Sequence, residues 1–360
     1  MRFPFLKTGV GTWVLSGNNS YTGATTITDG ILSVSNLKNG GTSSNIGAST
    51  KAATKLILDG GTLQYTGAAQ STNRLFQIGQ TTAGGTGTID ASGSGALSFT
   101  NTGSITYGTT NQNRNLVLTG TNTGSNTLAA AIGDNGTGVT SVTKSGTGTW
   151  VVSGNSSYTG GTTIAASGGI LNMQSQNALG TGNITVNSGG TLQLQGGITA
   201  MTEGSAVLTL NGTGSGGIGA LNNLSGANLW NNAVALGSDA TISNSGTSGA
   251  GNLLSLGPVD STGAFDLNGH TLTLGGTGDF TFNSNIGKST GDIGSVIINT
   301  TGTVTYFGYQ NFYTGSTTVN AGTLLLTTDY FTYPNKGILG SLIIGRWNRQ
   351  CQYRRCDDRE

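Results

Sequence analysis

The feature that most constrains this chain is a stretch of about 30 residues that occurs twice, the second time with two extra residues. Lys144–Met173 reads KSGTGTWVVSGNSSYTGGTTIAASGGILNM, and Lys7–Val34 reads KTGVGTWVLSGNNSYTGATTITDGILSV. Trp13 corresponds to Trp150 and Tyr21 to Tyr158, both pairs 137 residues apart. A worn third copy, Gly302–Leu326, keeps Tyr313-Thr314-Gly315 but has no Trp. A unit that recurs in this way is a structural module, and the fold has to be read as a repeat architecture before any site is sought.

The module reads as short strands between turns. Thr149 to Val152 are β-branched or aromatic and suit a pleated surface. Gly154-Asn155-Ser156-Ser157 is turn chemistry, because Gly and Asn accept positive φ and Asn and Ser bond their own backbone. Thr162-Thr163-Ile164 is a second strand, Gly168-Gly169 a second turn and Ile170 to Met173 a third strand. Three short strands in about 30 residues are expected to form one coil of a β-solenoid, which buries a continuous core only when coils stack.

Composition tests this against disorder. Gly makes up 64 of 360 residues, against a usual ~7%. Charged residues are 8%, against ~25%. Such a balance also occurs in disordered chains. Here, however, apolar residues alternate with Thr and Gln in runs such as Leu192-Gln193-Leu194, Leu208-Thr209-Leu210 and Leu272-Thr273-Leu274, which is the signal of a half-buried strand. The only helical candidate, Thr127–Ile132, is short and runs into Gly133-Asp134-Asn135-Gly136. No apolar run is long enough for a membrane-spanning helix. A net charge of +1 gives no reason to expect nucleic acid as a partner.

The module resembles the autotransporter-associated β-strand repeat of bacterial type V passenger regions. The resemblance rests on Gly-x-Gly-Thr-Trp at 9–13 and 146–150, Ser-Gly-Asn at 16–18 and 153–155, Tyr-Thr-Gly at 21–23, 158–160 and 313–315, and the closing Gly-x-Leu. The three copies cover about a quarter of the chain, and weaker echoes lie at 59–67, 178–197 and 268–276. The resemblance implies an all-β, parallel right-handed β-helix exported to the cell surface, and it implies no particular activity. The expected organisation is a passenger solenoid over residues 1–345, with repeat copies near 7–34, 144–173 and 302–326, and a non-repeat basic tail over 346–360.

The ends depart from this pattern. Met1 to Lys7 has neither the apolar length nor the cleavage site of a signal peptide. Residues 346–360 hold five of the eight arginines and both cysteines, Cys351 and Cys356. Shifting the reading frame by one base from Trp347 allows a Gly-Thr-Gly-Asn-Val-Asn-Ile sequence, which is repeat-like. The tail reads either as a frameshift near residue 346 or as a solvated basic extension. A Cys-free body excludes a disulfide scaffold. The β-barrel translocator that the resemblance implies needs ~10-residue alternating strands, and no such strands occur from residue 327 onward.

The residues offer little chemistry. His270 is the only histidine, so any nucleophile–His–acid scheme depends on it; at the entry to a strand it reads as a surface residue. Acids are scattered. The densest run, Asp260, Asp266, Asp279 and Asp292, would serve a polysaccharide-acting enzyme if brought into one cleft, but the neighbouring glycines read as turns. Gly84 to Asp90 and Gly275 to Asp279 miss the calcium nonapeptide by one place. Gly212-x-Gly214-x-x-Gly217 lacks the following helix and acid of a dinucleotide site, and Gly287-Lys288-Ser289 lacks the first Gly of a P-loop. Trp13, Trp150, Tyr21 and Tyr158 read as packing residues rather than a carbohydrate-stacking surface, and Asn at turns is expected to form ladders between coils.

The expectation is a structural or adhesive surface solenoid without catalytic activity of its own. No catalytic, cofactor-binding or metal-binding residue is assigned, and no cofactor is expected. The partners expected are surface glycans or host proteins, reached through loops. The alternatives are a β-helix enzyme acting on polysaccharide and a non-functional truncated gene product, whose open coil edges would favour aggregation.

Overall fold

The computed structural model describes residues 3–80, 85–198, 206–257, 265–288, 291–307, 311–327, 338 and 340–344. The tail at 346–360, Met1 and Asp260 lie outside the described residues. The chain divides into two compact units, Met1–Leu192 and Gln193–Glu360. Among the described residues the only helical segments are three-residue 3₁₀ turns at Ala53–Lys55, Ser215–Gly217 and Ala250–Asn252. Everything else regular is strand, and every strand pairing is parallel. The fold is a parallel β-helix, as expected. The helical candidate near residue 127 is instead the strand Asn126–Leu128.

In the first unit, successive coils stack their strands into three ladders. One runs Phe5–Lys7, Thr25–Ile27, Leu56–Leu58, Gln77–Ile78 and Thr106–Tyr107. A second begins Thr12–Leu15, Ile31–Val34, Thr62–Tyr65, Thr86–Ala91 and Arg114–Thr119, and continues through Thr140–Lys144 and Thr162–Ile164 to Ile184–Val186. The third runs Gln70–Thr72, Leu97–Phe99, Asn126–Leu128, Thr149–Val152 and Gly169–Met173. Because register is kept from coil to coil, like stacks on like. Ile89, Leu118, Ile164 and Val186 occupy one inward column, with Lys144 between Leu118 and Ile164.

The second unit repeats the logic, with a short ladder through Val207–Gly212, Ala233–Asn244 and Phe265–Asp266 and two longer ones. Thr271–Gly276, Ser295–Ile298, Thr317–Val319 and Leu342–Ile344 stack in one. Asn228–Trp230, Leu254–Leu256, Phe280–Phe282, Thr303–Tyr306 and Thr323–Leu326 stack in the other. Its core includes Phe265, Phe282 and Tyr306 in edge-to-face contact at 5.2 and 5.5 Å, the arrangement ring quadrupoles prefer.

The ladders correct the reading of the module as one coil of three strands. Lys144–Met173 is two coils of two strands. Thr140–Lys144 pairs with Thr162–Ile164, and Thr149–Val152 pairs with Gly169–Met173. The fourth strand escapes a reading that starts at Lys144 because only its last residue lies inside the repeated stretch. Paired residues within a copy are close to 20 apart: Lys7 and Ile27, Lys144 and Ile164, Val304 and Leu324. Coils between copies are longer, such as that joining Leu32 to Leu63, and the extra residues form loops.

Two motif glycines follow from this stacking. The Gly of Gly-x-Leu has φ +62°, +62° and +71° at Gly30, Gly169 and Gly322, a region L side chains enter only at a cost. A Cβ there would overlap the carbonyl oxygens of Gly9, Gly148 and Gly302 in the preceding coil. At Tyr-Thr-Gly, a Cβ on Gly23, Gly160 or Gly315 would strike the backbone of Phe3, Thr140 or Gly294. Both motifs mark places where neighbouring coils touch backbone to backbone. Gly169→Ala is therefore expected to destabilise the chain by ~1–3 kcal/mol, read as a lowered urea midpoint. Gly11→Ala, where an added Cβ meets open space, should change it by less than about 0.5 kcal/mol.

Candidate functional site

The repeat places its distinctive side chains in the interior. Trp150 and Tyr158 are fully buried. The Trp150 indole donates from Nε1 to the Thr119 carbonyl at 2.9 Å, which gives its polar atom a partner in the coil before. Tyr158 Oη lies 2.6 Å from Thr162 Oγ1, and that hydroxyl in turn reaches the Leu179 carbonyl of the next coil. Tyr21–Thr25 at 2.8 Å and Tyr313–Thr317 at 2.5 Å repeat the pair. The motif is thus a Tyr and a Thr four residues apart, with the intervening Gly making room for the coil behind.

Sequence reasoning missed the lysine that opens each full copy. Lys144 is fully buried. Its ammonium donates to the carbonyls of Ser145 at 2.8 Å, Gly146 at 2.8 Å and Gly168 at 2.5 Å. Lys7 makes the same cage with Thr8, Gly9 and Asp29. In its charged form the Lys ammonium has three donors, one for each carbonyl. Two bonds close the local turn and the third reaches the following coil, so the side chain clips two coils together. In the third copy, Ile298 takes this place in register between Leu274 and Val319, and Val304 takes the place of Trp. The signal available in the sequence was the shared spacing, Lys7 to Trp13 and Lys144 to Trp150.

Trp13 behaves differently from Trp150. Among the described residues its strand pairs only with Ile31–Val34, whereas that of Trp150 pairs on both sides. Trp13 is 51% exposed, near the exposed Val10 and Val14. It packs edge-to-face on Phe5 at 6.1 Å, and Lys7 Nζ lies 5.9 Å from its ring centre. The packing expectation therefore describes Trp150 and Tyr158 fully and Trp13 only in part.

The described members of the acidic run, Asp266, Asp279 and Asp292, are not gathered into one cleft. Asp266 and Asp292 line an open groove of about 450 Å³ with Asn268, Lys288 and Ile293. Asp266 Oδ1 accepts from Asn268 N at 3.0 Å, and Asp292 Oδ1 accepts from Gly269 N and Gly294 N at 3.0 Å each. Asp279 is engaged with Thr303 N and Gly249 N, each at 2.7 Å. These carboxylates cap turns. His270 Nδ1 sits 3.8 Å from Asp239 Oδ1 at the surface, while Asp239 accepts from Thr271 N. Among the described residues no group of three His, Cys, Asp or Glu side chains comes together as metal ligands. Gly212 closes a strand, and the 3₁₀ turn Ser215–Gly217 follows rather than a phosphate-binding helix.

Asn side chains do form the expected rungs. Asn177 Nδ2 donates to Asn155 Oδ1 at 2.6 Å and Asn36 Nδ2 to Asn18 Oδ1 at 3.2 Å, so the Asn of Ser-Gly-Asn ties its turn to the next coil. In the second unit Asn228, Asn223 and Asn244 link amide to amide at 2.5 and 3.0 Å.

The buried ionisable groups give stability a defined pH profile. Burial pushes the Lys144 amine down to about 7. The unfolded chain then binds the extra proton between that value and the ordinary 10.5, so stability rises with pH across this window. Burial pushes tyrosines the other way: Tyr107 up to about 12, with Tyr158 and Tyr313 also raised. Their contribution is complete below pH ~10 and is lost as the pH climbs toward the folded values. The thermal midpoint should rise from pH 7 to about pH 10 and fall beyond it. In Lys144→Met the rising limb should be flattened and the falling limb kept, as followed by circular dichroism.

Against this geometry, the comparisons with known proteins are specific. The passenger-associated-transport-repeat family matches residues 5–34, 142–173 and 301–326. The adhesin BmaC autotransporter of Brucella suis biovar 1 (strain 1330) is 44% identical over 141 residues, which are 39% of this chain and 4% of that protein. The match thus spans a small part of its relative's length. No solved structure matches this chain. The matched segments coincide with the three copies whose strands, glycines and tyrosines are described above, and at those three places this parallel β-helix is similar to the passenger-associated-transport-repeat.

Proposed function

We propose that this chain is part of a surface-exposed autotransporter passenger whose work is adhesive. The β-helix serves as a stiff support, and contact is made through loops and polar flanks rather than at a catalytic centre. The observation that carries this reading is the coincidence of three passenger-associated-transport-repeats with 44% identity to part of an autotransporter adhesin. The division of labour fits the fold. Motif residues are consumed in stacking coils, which leaves recognition to the inserted loops. Its partners are surface glycans or host proteins, and a β-barrel translocator would deliver it. On this reading residues 1–345 are passenger material and 346–360 a separate tail.

A polysaccharide-acting enzyme is the second reading, and the observation in its favour is the groove shared by Asp266 and Asp292. Two carboxylates flanking a bond are the minimum for glycoside hydrolysis. Both are engaged with backbone N–H groups, a role in which turn geometry accounts for them.

The two readings separate in one experiment. The chain is displayed on a non-adherent bacterium through a heterologous autotransporter barrel, and surface exposure is verified by protease accessibility. Adhesion of the displaying cells to epithelial monolayers is expected to rise several-fold over cells displaying the barrel alone. Verified display with no gain in adhesion would sink the adhesive reading. Release of reducing ends from polysaccharide substrates, lost in Asp292→Asn, would establish the enzymatic one.

A further inference from the structure

The longest departure from the short repeat coil in the first unit is the segment between Ile31–Val34 and Leu56–Leu58. Residues 36–52 form no regular element, yet they are pinned at many points. Asn45 Oδ1 accepts from Ser35 N at 2.9 Å and Asn36 N at 2.8 Å, and its amide donates to the Gly17 carbonyl at 2.9 Å. Arg74 is buried beneath the loop. Its guanidinium donates to the carbonyl of Lys38 at 2.9 Å, the carbonyl and hydroxyl of Ser49 at 3.0 and 2.9 Å, and the carbonyl of Gly47 at 3.0 Å. The next residue, Leu75, donates from N to the Lys51 carbonyl at 3.0 Å. Lys38 and Lys51 are therefore anchored by consecutive residues of one strand exit, and Lys55 follows one turn after Lys51.

This loop concentrates positive charge. Lys38, Lys51 and Lys55 reach solvent, and among the described residues Lys288 is the only other Lys or Arg that does. None of the three loop lysines has a carboxylate partner; among the described residues the single close acid–base contact is that of His270 with Asp239. The Arg74 charge beneath them is held by neutral oxygens alone. From residue 30 to residue 89 the sequence has one acid, Asp59, and its carboxylate accepts from Gln80 N. Residues 193–345 carry seven acids and two lysines, the opposite sign. Among the described residues the exposed cationic character thus gathers at this one loop.

We infer that the loop at 36–55 is a docking face for an acidic polysaccharide, a chain bearing sulfate or carboxylate groups. The inference deepens the adhesive reading by naming a ligand class for one loop. Lysines are point charges on flexible stems and suit anionic groups spaced along a polymer, whereas bidentate phosphate recognition favours Arg. The exposed neighbours Asn39, Thr42, Thr50 and Thr54 offer amides and hydroxyls for sugar hydroxyls. Residues 35–55 include no Phe, Trp or Tyr, so the stacking platform that single-stranded nucleic acid requires is missing. Pinning by Asn45 and Arg74 removes most of the ordering cost that a loop of this length would meet on binding.

The test uses the full chain and three probes: heparin, neutral dextran and duplex DNA. Heparin should bind and dextran should not. The triple variant Lys38→Gln, Lys51→Gln, Lys55→Gln should lower heparin affinity at least tenfold and flatten its salt dependence, since fewer counterions are released. The matching Lys→Arg triple should retain binding, and an unchanged thermal midpoint in the Gln triple shows that the fold is intact. Heparin affinity that is unchanged in the Gln triple, falls equally in Lys288→Gln, or is exceeded by duplex DNA affinity would each overturn the assignment. Salt-sensitive self-association that disappears in the Gln triple, without heparin binding, would assign the loop to a second copy instead. Epithelial adhesion by displayed cells with no heparin binding would leave the adhesive reading standing and remove this one; heparin binding without adhesion would do the reverse.

Discussion

The structure depends on parallel backbone pairing between coils that lie about 20 residues apart within the repeats. Each strand is three to six residues in most cases and has little stability alone. Pairing on both faces of a coil supplies the missing hydrogen bonds, each worth ~0.5–1.5 kcal/mol net, and stacks Ile89, Leu118, Ile164 and Val186 into one continuous column. Such pairing demands close approach at the corners. Glycine at Gly30, Gly169 and Gly322 is what allows it, because any side chain there would occupy the space of the preceding coil's carbonyl.

Polar groups buried in the interior are costly unless they are hydrogen-bonded. The structure uses three devices. Lysine cages at Lys7 and Lys144 spend all three ammonium donors on carbonyls at a corner. Tyr–Thr pairs pass a hydroxyl bond to the next coil. Asn rungs link consecutive turns. Each device bridges two coils, so each also fixes register, which in a parallel stack is otherwise set only by side-chain shape. The replacement of Lys by Ile298 and of Trp by Val304 in the worn copy shows that an aliphatic column satisfies the same corner, with both polar residues absent together.

Because motif residues are committed to stacking, variation falls to the insertions. The coil from Leu32 to Leu63 is half as long again as a repeat coil, and its extra residues are tied down by Arg74 and Asn45 rather than left loose. A rigid support with fixed loops is what the proposed adhesive reading requires.

Much of this was legible in the sequence. The doubled stretch around Trp13 and Trp150 determined the repeat, the β class and the module family, because periodic spacing of β-branched residues and glycines has few physical solutions. The Asn rungs and the burial of Trp150 and Tyr158 were also readable. Tertiary structure alone decided the rest. Whether a copy is one coil or two depends on which strands pair, and pairing is a long-range property absent from local pattern. The buried state of Lys144 follows from its column between Leu118 and Ile164, whereas by residue type a lysine reads as solvent-facing. Asp266 and Asp292 share a groove while Asp279 does not, because coil length, not sequence spacing, sets which turns lie side by side. Arg74 was unremarkable as a residue in a strand exit. Only the fold brings the carbonyls of Lys38, Gly47 and Ser49 around it, since a chain wound in coils makes neighbours of residues some 25 to 36 apart.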